Sequence, residues 1–200
     1  HPVYPGAWSR DGATLAFVRG NGSEDKFDIW LLEKGKGLRP IAATRSFESH
    51  PDISPDGRWL AFWMEDKDSG DVYVKPLAGE GPLQQVSVGG GDSPRWARDG
   101  SAILYWKRTS TGGSWALFRV RVTPSAAGLS LGRPERLLEA PFVWMSPVNP
   151  WDLAPDGRVL IIKQSEPADR RARIEKTLKD RIRVDLGGLS ALIEEAGRTR

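Results

Sequence analysis

The fold of this chain is decided by one stretch of ten residues, Ser54-Pro55-Asp56-Gly57-Arg58-Trp59-Leu60-Ala61-Phe62-Trp63. Its first half predicts a tight turn, because proline fixes φ, aspartate can bond the backbone two residues on, and glycine tolerates a positive φ. Its second half predicts a strand with one buried face, since Leu60 and Phe62 are apolar with period two. We therefore expect a β-hairpin, in which the residues after the turn pair with those before it.

The chain repeats this unit four times. The Asp-Gly pair recurs as Asp11-Gly12, Asp56-Gly57, Asp99-Gly100 and Asp156-Gly157, so that the aspartates are 45, 43 and 57 residues apart. Apolar residues follow each aspartate by four and by six positions: Leu15, Leu60, Ile103 and Leu160, then Phe17, Phe62, Tyr105 and Ile162. A period near 40–45 residues with several short strands per repeat is typical of propeller blades. The sequence therefore predicts an all-β fold.

The strands predicted from the sequence form three four-stranded blades and part of a fourth, all within residues 1–166. The predicted blades are about 2–48, 49–92, 93–148 and 149–166. Residues 123–134 and 140–150 are expected to be long connections. Since propellers close with four to eight blades, these blades predict an incomplete β-propeller.

Residues 167–200 depart from the repeat and form a charged tail, predicted to be helical or disordered. Ile174, Leu178 and Ile182 are four residues apart and favour a helix within 169–182, while residues 189–196 could form a second short helix. Two interpretations remain open for this tail. It is a docking or dimerising helical segment, or it is an unnatural end such as a shifted reading frame or a truncation.

Composition excludes several classes of partner. The net charge is +3 and the basic residues are scattered, so no nucleic-acid surface is indicated. No run approaches the 18 apolar residues of a membrane span, so no membrane contact is expected from this segment. There is no cysteine for disulfides or thiolate metal sites. The chain begins at His1 rather than at Met, which suggests a piece of a longer protein.

The sequence contains no recognisable catalytic set. The four turn aspartates occupy equivalent positions in different blades, and turn chemistry accounts for them. The string Gly188-Leu189-Ser190-Ala191-Leu192 lacks the final glycine of a nucleophile elbow, and no histidine follows it. His1 and His50 are too few for a histidine-rich metal site. We predict a protein that is not an enzyme and that has no cofactor and no metal.

The most promising binding residues precede the proline that begins the repeat in each blade. They are Tyr4, His50, Ser93 and Asn149. A residue before proline is expected to be extended. In a propeller these connections surround a mouth of the central channel, where loops on a rigid scaffold carry function. The alternative is that all four are solvated linker residues.

The repeat resembles the WD-like β-propeller repeat of the TolB family over residues 2–165. The shared features are the Ser-Pro-Asp-Gly turn, the Leu-Ala-Phe second strand, and third strands beginning Asp28-Ile29-Trp30 or Asp71-Val72-Tyr73. The runs 54–99 and 155–163 are especially similar to the C-terminal propellers of bacterial serine/threonine protein kinases. The chain departs from the family after about Glu166, where relatives have one more hydrophobic strand.

This resemblance implies a sensor or interaction module that binds a protein, a peptide or a small ligand. It also implies upstream blades and an effector domain in the same polypeptide, and it favours the periplasmic side of the membrane. The alternative function is the substrate-gating propeller of a serine peptidase of the prolyl-oligopeptidase type. A hydrolase domain after this segment, or a kinase domain before it, would distinguish the two.

Overall fold

The computed structural model describes residues 2–20, 22, 26–66, 69–79, 81–109, 114–125, 128–140, 149–154, 156–162 and 185–186. Within these residues the chain forms sixteen β-strands and no helix. No described helix is therefore long and apolar enough to cross a membrane.

The first two sheets are four-stranded antiparallel meanders. The first contains β1 (Val3–Trp8), β2 (Thr14–Gly20), β3 (Phe27–Glu33) and β4 (Gly37–Ala42), in that spatial order. The second contains β5 (Glu48–Ile53), β6 (Trp59–Asp66), β7 (Ser69–Pro76) and β8 (Gln84–Gln85), also in order. Each is a propeller blade, built from consecutive strands.

The third and fourth sheets are also antiparallel, but the third has five strands and the fourth has three among the described residues. The third contains β9 (Asp92–Trp96), β10 (Ala102–Arg108), β11 (Trp115–Ser125), β12 (Gly128–Leu131) and β13 (Glu135–Ala140). The fourth contains β14 (Trp151–Leu153), β15 (Val159–Ile161) and β16 (Asp185–Leu186). These sheets confirm the all-β class and the incomplete β-propeller.

The prediction that residues 123–134 form a plain connection is wrong. Strand β11 continues to Ser125 and pairs with β12, giving the third blade an additional hairpin. The hairpin rests on the second blade: the side chain of Gln84 donates to the Leu129 carbonyl at 2.8 Å and accepts from its N–H at 3.2 Å. Leu129 is buried between the two blades. This support comes from a residue 45 positions away in sequence, which local sequence patterns do not reveal.

Most of the tail, and residues 141–148 of the predicted second connection, lie outside the described residues, as do both predicted helices. The two described residues of the tail, Asp185 and Leu186, pair with β15 as a strand.

The four repeated turns share one geometry. The glycine of each turn donates its N–H to the carbonyl three residues earlier, at 2.9 to 3.0 Å. Their φ angles are 68° at Gly12, 70° at Gly57, 75° at Gly100 and 84° at Gly157. One carboxylate oxygen of each turn aspartate accepts the N–H two residues on, at 3.0 or 3.1 Å. The repeated sequence therefore produces a repeated turn, in which aspartate and glycine have separate roles.

Neighbouring sheets pack face to face and form three cores, one at each blade interface. Ile29, Leu31, Leu60 and Phe62 belong to the first, Val72, Val74, Ile103 and Val120 to the second, and Trp106, Leu117 and Trp151 to the third. Gly6 allows close approach of the first two blades, since a Cβ there would lie 2.5 Å from Cγ of Pro51.

The first strand of each blade lies innermost. Strands β1, β5, β9 and β14 contact one another in succession and line the propeller axis. The axis has two ends, which we name by what lies there. The turn end carries the four Asp-Gly turns, and the linker end carries the connections that lead from one blade into the next.

Candidate functional site

The turn end of the axis contains a cleft of about 540 Å³. All four blades contribute to its lining: Trp8 and Arg10 from the first, Asp52 from the second, Arg95 and Arg98 from the third, and Asp152 from the fourth. The inner strands of the four blades lie around a common axis. Residues that are far apart in sequence therefore meet at its turn end.

The floor of this cleft is a chain of charges that links three inner strands. Arg95 donates from Nη1 to Asp52 at 3.3 Å, and its Nε lies 3.6 Å from a carboxylate oxygen of Asp152. Asp52 also accepts the N–H of Trp96 at 2.7 Å. Burial raises the pKa of Asp52 to about 6, although Arg95 and the Trp96 N–H act to lower it. Asp52, Arg95 and Asp152 occupy equivalent positions in successive blades, each four residues before the turn aspartate. The floor is therefore part of the scaffold.

The rim of the cleft carries two arginines that, unlike Arg95, are exposed to solvent. Arg10 and Arg98 occupy the position just before the aspartate in the first and third turns, and both are exposed. Their neighbouring aspartates already accept hydrogen bonds within the turns, from Ser9 to Asp11 at 2.6 Å and from Ser101 to Asp99 at 2.7 Å. These bonds hold the pKa of both aspartates below the usual value. The rim therefore presents two guanidinium groups that have no carboxylate partner among the described residues.

The side chain of Trp8 lies beside these arginines and is 61% exposed. Most of the other described tryptophans are buried or half-buried within the blades. An exposed indole at the edge of a cleft offers a flat apolar surface to a ligand.

At the linker end, the expectation that the residue before proline is extended is wrong for two blades. His50 and Ser93 both have a φ of 52°. Each lies in a bulge, where β5 or β9 has one residue more than its partner strand. The following proline has no N–H to give to the ladder, so a bulge is well tolerated there. The bulge in the first blade lies at Gly6 instead, between Pro5 and Ala7.

The two bulges direct the side chains of His50 and Ser93 toward the interface between the second and third blades. His50 Nδ1 lies 3.0 Å from Oδ1 of Asp92, and the same oxygen accepts from the hydroxyl of Ser93 at 2.9 Å. The carbonyl of Ser93 accepts from the indole N–H of Trp151 in the fourth blade at 2.7 Å. Left-handed backbone at residues other than glycine costs on the order of 1–3 kcal/mol each. These buried bonds are available to offset that cost.

Ser49, His50 and Asp92 bring together the residue types of a serine hydrolase, but not in a catalytic arrangement. The Ser49 hydroxyl lies 3.1 Å from Nδ1, which is also the nitrogen that faces Asp92. A catalytic triad uses opposite nitrogens of the ring. Since a carboxylate only accepts, Nδ1 donates its hydrogen to Asp92 and cannot take a proton from Ser49. All three side chains are also buried, so a substrate would not reach the hydroxyl.

A second buried carboxyl lies at the linker end between the first and second blades. Glu48 is fully buried and accepts from the backbone N–H of Thr44 at 3.1 Å and from the Thr44 hydroxyl. Burial raises its pKa to about 7, and the charge of Asp28 in β3 acts in the same direction. Glu48 therefore carries a proton for a substantial part of the time at neutral pH.

Asp71 holds the linker into the third blade. Its carboxylate accepts from Ser87 at 2.7 Å, from the N–H of Gly90 at 3.0 Å and from Gln85 at 3.1 Å. The sequence shows Asp71 as the first residue of the third-strand motif, and Asp28 stands at the same place in the first blade. That recurrence is the signal that could have identified a structural role for these residues.

The four residues before the prolines have different environments. Tyr4 is half-buried and its ring lies 5.7 Å from that of Phe27, at the start of a row that continues to Phe47 and Trp63. His50 and Ser93 are buried and share Asp92, and Asn149 is half-buried. Within the described ranges, no group of three or more His, Asp or Glu side chains is arranged to hold a metal ion.

Comparison with known proteins identifies the fold but not a family. No family model matches the chain. TolB from Acinetobacter baumannii superposes with a TM-score of 0.57 and 17% identity, over 82% of this chain and 39% of that protein. A puromycin-hydrolysing peptidase from Mycobacterium tuberculosis superposes with a TM-score of 0.53 and 19% identity, over 77% of this chain and 27% of that protein.

A curated relative is similar in sequence over part of the chain. The peptidase YuxL of Bacillus subtilis, described as uncharacterised, is 30% identical over 104 residues, which are 48% of this chain and 16% of YuxL. The chain therefore spans only a minor part of each of these relatives. With sheets that repeat one strand order around a common axis, and with these structural neighbours, the described blades are those of a β-propeller of the kind found in TolB.

Proposed function

We propose that this segment is a non-catalytic binding module, which holds a protein, peptide or small ligand in the cleft at the turn end. The observation that carries the proposal is that residues of all four blades line one cleft of about 540 Å³ on the propeller axis. A concave site with a few polar groups on a rigid scaffold is the usual form of a binding site.

A difference in exposure between the two ends of the axis supports this proposal. At the linker end, His50 and Ser93 are buried and bonded to Asp92, so their contribution is to fix the blades. At the turn end, Trp8, Arg10 and Arg98 are exposed. The half-buried Tyr4 and Asn149 remain candidates for a ligand at the linker end. The nearest approach to a hydrolase site among the described residues, Ser49 with His50, has the wrong geometry for catalysis, which favours binding over turnover.

The test is a selection on the purified protein. The immobilised chain is panned with a random peptide library, and the soluble chain is screened with small-molecule fragments by ligand-observed NMR. Ligands that bind the wild type and are lost on Trp8→Ala, but not on Val88→Ala, would support the proposal. Val88 is the matched control because it is 76% exposed and lies in the connection between β8 and β9. If no peptide and no fragment binds the wild-type protein, the proposal is contradicted.

A second function is favoured by the sequence similarity to YuxL. We propose as the alternative that the propeller belongs to a serine peptidase and controls access of substrate to a hydrolase domain in the same polypeptide. A peptidase among the structural neighbours supports this alternative at the level of fold. The protein-kinase connection that the repeat resemblance implies remains a further prediction.

The full open reading frame separates these functions. A hydrolase domain after residue 200, together with peptidase activity of the whole protein, would establish the gating function. A kinase domain before residue 1 would establish a sensor function. In either case the effector and the remaining blades are the expected partners within the same chain.

A further inference from the structure

We infer that the ligand of the turn-end cleft is an acidic peptide segment in extended conformation, held by Arg10 and Arg98. This inference depends on the binding function proposed above and specifies its ligand. It begins from the shape of the site. A neighbouring cleft of about 500 Å³ between the second and third blades also has Arg10 and Arg98 in its lining. The two clefts therefore meet at these two side chains.

The two arginines at this junction that lack an ion-pair partner among the described residues favour a ligand that carries carboxylates. Arg95, in the floor, already faces Asp52 and Asp152. Asp11 and Asp99 remain ionised, but each is held within its own turn, Asp11 by Ser9 and Asp99 by Ser101, and among the described residues neither forms an ion pair with Arg10 or Arg98. Arg10 and Arg98 are left facing solvent with no acidic partner in the described part of the chain. A carboxylate from a ligand would supply the bidentate acceptor that a guanidinium group prefers.

The apolar surfaces on both sides of the arginines predict a peptide. Trp8 is exposed on the axial side, and the half-buried indole of Trp59 lines the neighbouring cleft, above the buried Val122 and Leu129. An extended peptide places successive side chains on opposite sides, so acidic residues can alternate with apolar ones along this path. An acidic oligosaccharide would satisfy the arginines but has no apolar side chains for the second cleft.

The test compares two fluorescein-labelled peptides of equal length by fluorescence anisotropy. One has glutamates between apolar residues, and the other has glutamines in place of the glutamates. We expect the glutamate peptide to bind the wild type three- to tenfold more tightly, as is typical of two exposed ion pairs. The advantage should fall as salt rises from about 50 to about 500 mM, because exposed charges are screened.

The double variant Arg10→Gln with Arg98→Gln should bind both peptides equally. Its matched control is Arg45→Gln with Arg133→Gln, which removes the same charge from exposed arginines outside both clefts. That control should keep the preference for glutamate. Thermal melts of both double variants verify that the fold is retained.

Other outcomes would contradict the acidic peptide as ligand and leave the proposed binding function unaffected. Equal affinity of the wild type for the two peptides would show that charge does not select the ligand. Failure of both peptides, when library selection yields other ligands, would exclude an acidic peptide. An oligouronate that binds through Arg10 and Arg98 more tightly than the glutamate peptide would assign the arginines to a saccharide. Failure of the binding function itself is seen separately, as a library selection that yields nothing.

Discussion

His50 Nδ1 lies 3.0 Å from Oδ1 of Asp92, and this contact joins the inner strands of the second and third blades. Both side chains are almost completely removed from solvent. When one partner of such a pair is removed, the other is left buried with no water to replace the lost bond. Removing one partner should therefore destabilise the interface far more than removing one partner of a surface ion pair would.

The first prediction concerns this pair. Asp92→Ala should lower the free energy of unfolding by about 3 kcal/mol, because the imidazole and the Ser93 hydroxyl both lose their acceptor. Urea denaturation of Asp92→Ala, His50→Leu and the double variant measures the coupling between the two side chains. We expect the double variant to be more stable than the sum of the single effects predicts. Strict additivity would show that the contact contributes nothing specific. Asp99→Ala, in an exposed turn, serves as the control.

The second prediction concerns the turn of the defining repeat. Gly57→Val should destabilise the protein by about 1–3 kcal/mol, because φ at this position is 70°. A Cβ at Gly57 would have no atom within 4 Å, so we expect backbone strain to be the main source of the cost. Gly57→Asn should cost less, since asparagine tolerates the left-handed conformation, and Asp56→Ala should also cost less than the valine. Thermal melts in which the valine variant matches the wild type would contradict this account.

The third prediction concerns pH. The pKa of Glu48 is raised from 4.5 to about 7 in the folded protein. Between these values the folded state binds more protons than the unfolded chain, so this residue makes stability fall as pH rises from about 4.5 to about 7. Glu48→Gln cannot ionise and should be more stable than the wild type at pH 8, on the order of 2–3 kcal/mol.

The pH prediction is measured as the difference between the two proteins in urea unfolding across this range. The difference should vanish near pH 4.5. Glu65→Gln, an exposed residue of β6, should show no such trend. A difference that is constant with pH would mean that Glu48 is ionised in the folded state like an ordinary carboxyl group.

The fourth prediction is that the isolated segment catalyses no hydrolysis or phosphoryl transfer. The hydroxyl of Ser49 faces the same imidazole nitrogen as Asp92, so it has no base to activate it. Assays with fluorogenic peptides, esters and ATP should give no turnover on repurified protein. Hydrolysis that disappears in Ser49→Ala but persists in Ser101→Ala would show that the buried cluster opens into a catalytic site.

The repeated turns and strands could be predicted from sequence because their causes are local. The positive φ of Gly57 and the bond from Asp56 to the N–H of Arg58 depend on residues within a few positions of one another. The period-two pattern of Leu60 and Phe62 predicted β6 for the same reason, but the single buried face was wrong, since Ala61 on the other face is buried against the third blade. Repetition of these local signals at spacings of 45, 43 and 57 residues then predicted the propeller, because several short strands repeated at about this period are typical of propeller blades.

The tertiary structure alone decided which residues are exposed at the axis and which are buried. His50 and Ser93 looked like surface residues, since they are polar and precede proline, but the bulges in β5 and β9 turn them into a blade interface. The junction of Arg10 and Arg98, and the floor built from Asp52 and Arg95, join residues more than 40 positions apart. Such contacts depend on how one sheet twists and packs against the next, and the energy of that packing is shared among many residues that carry no local signal.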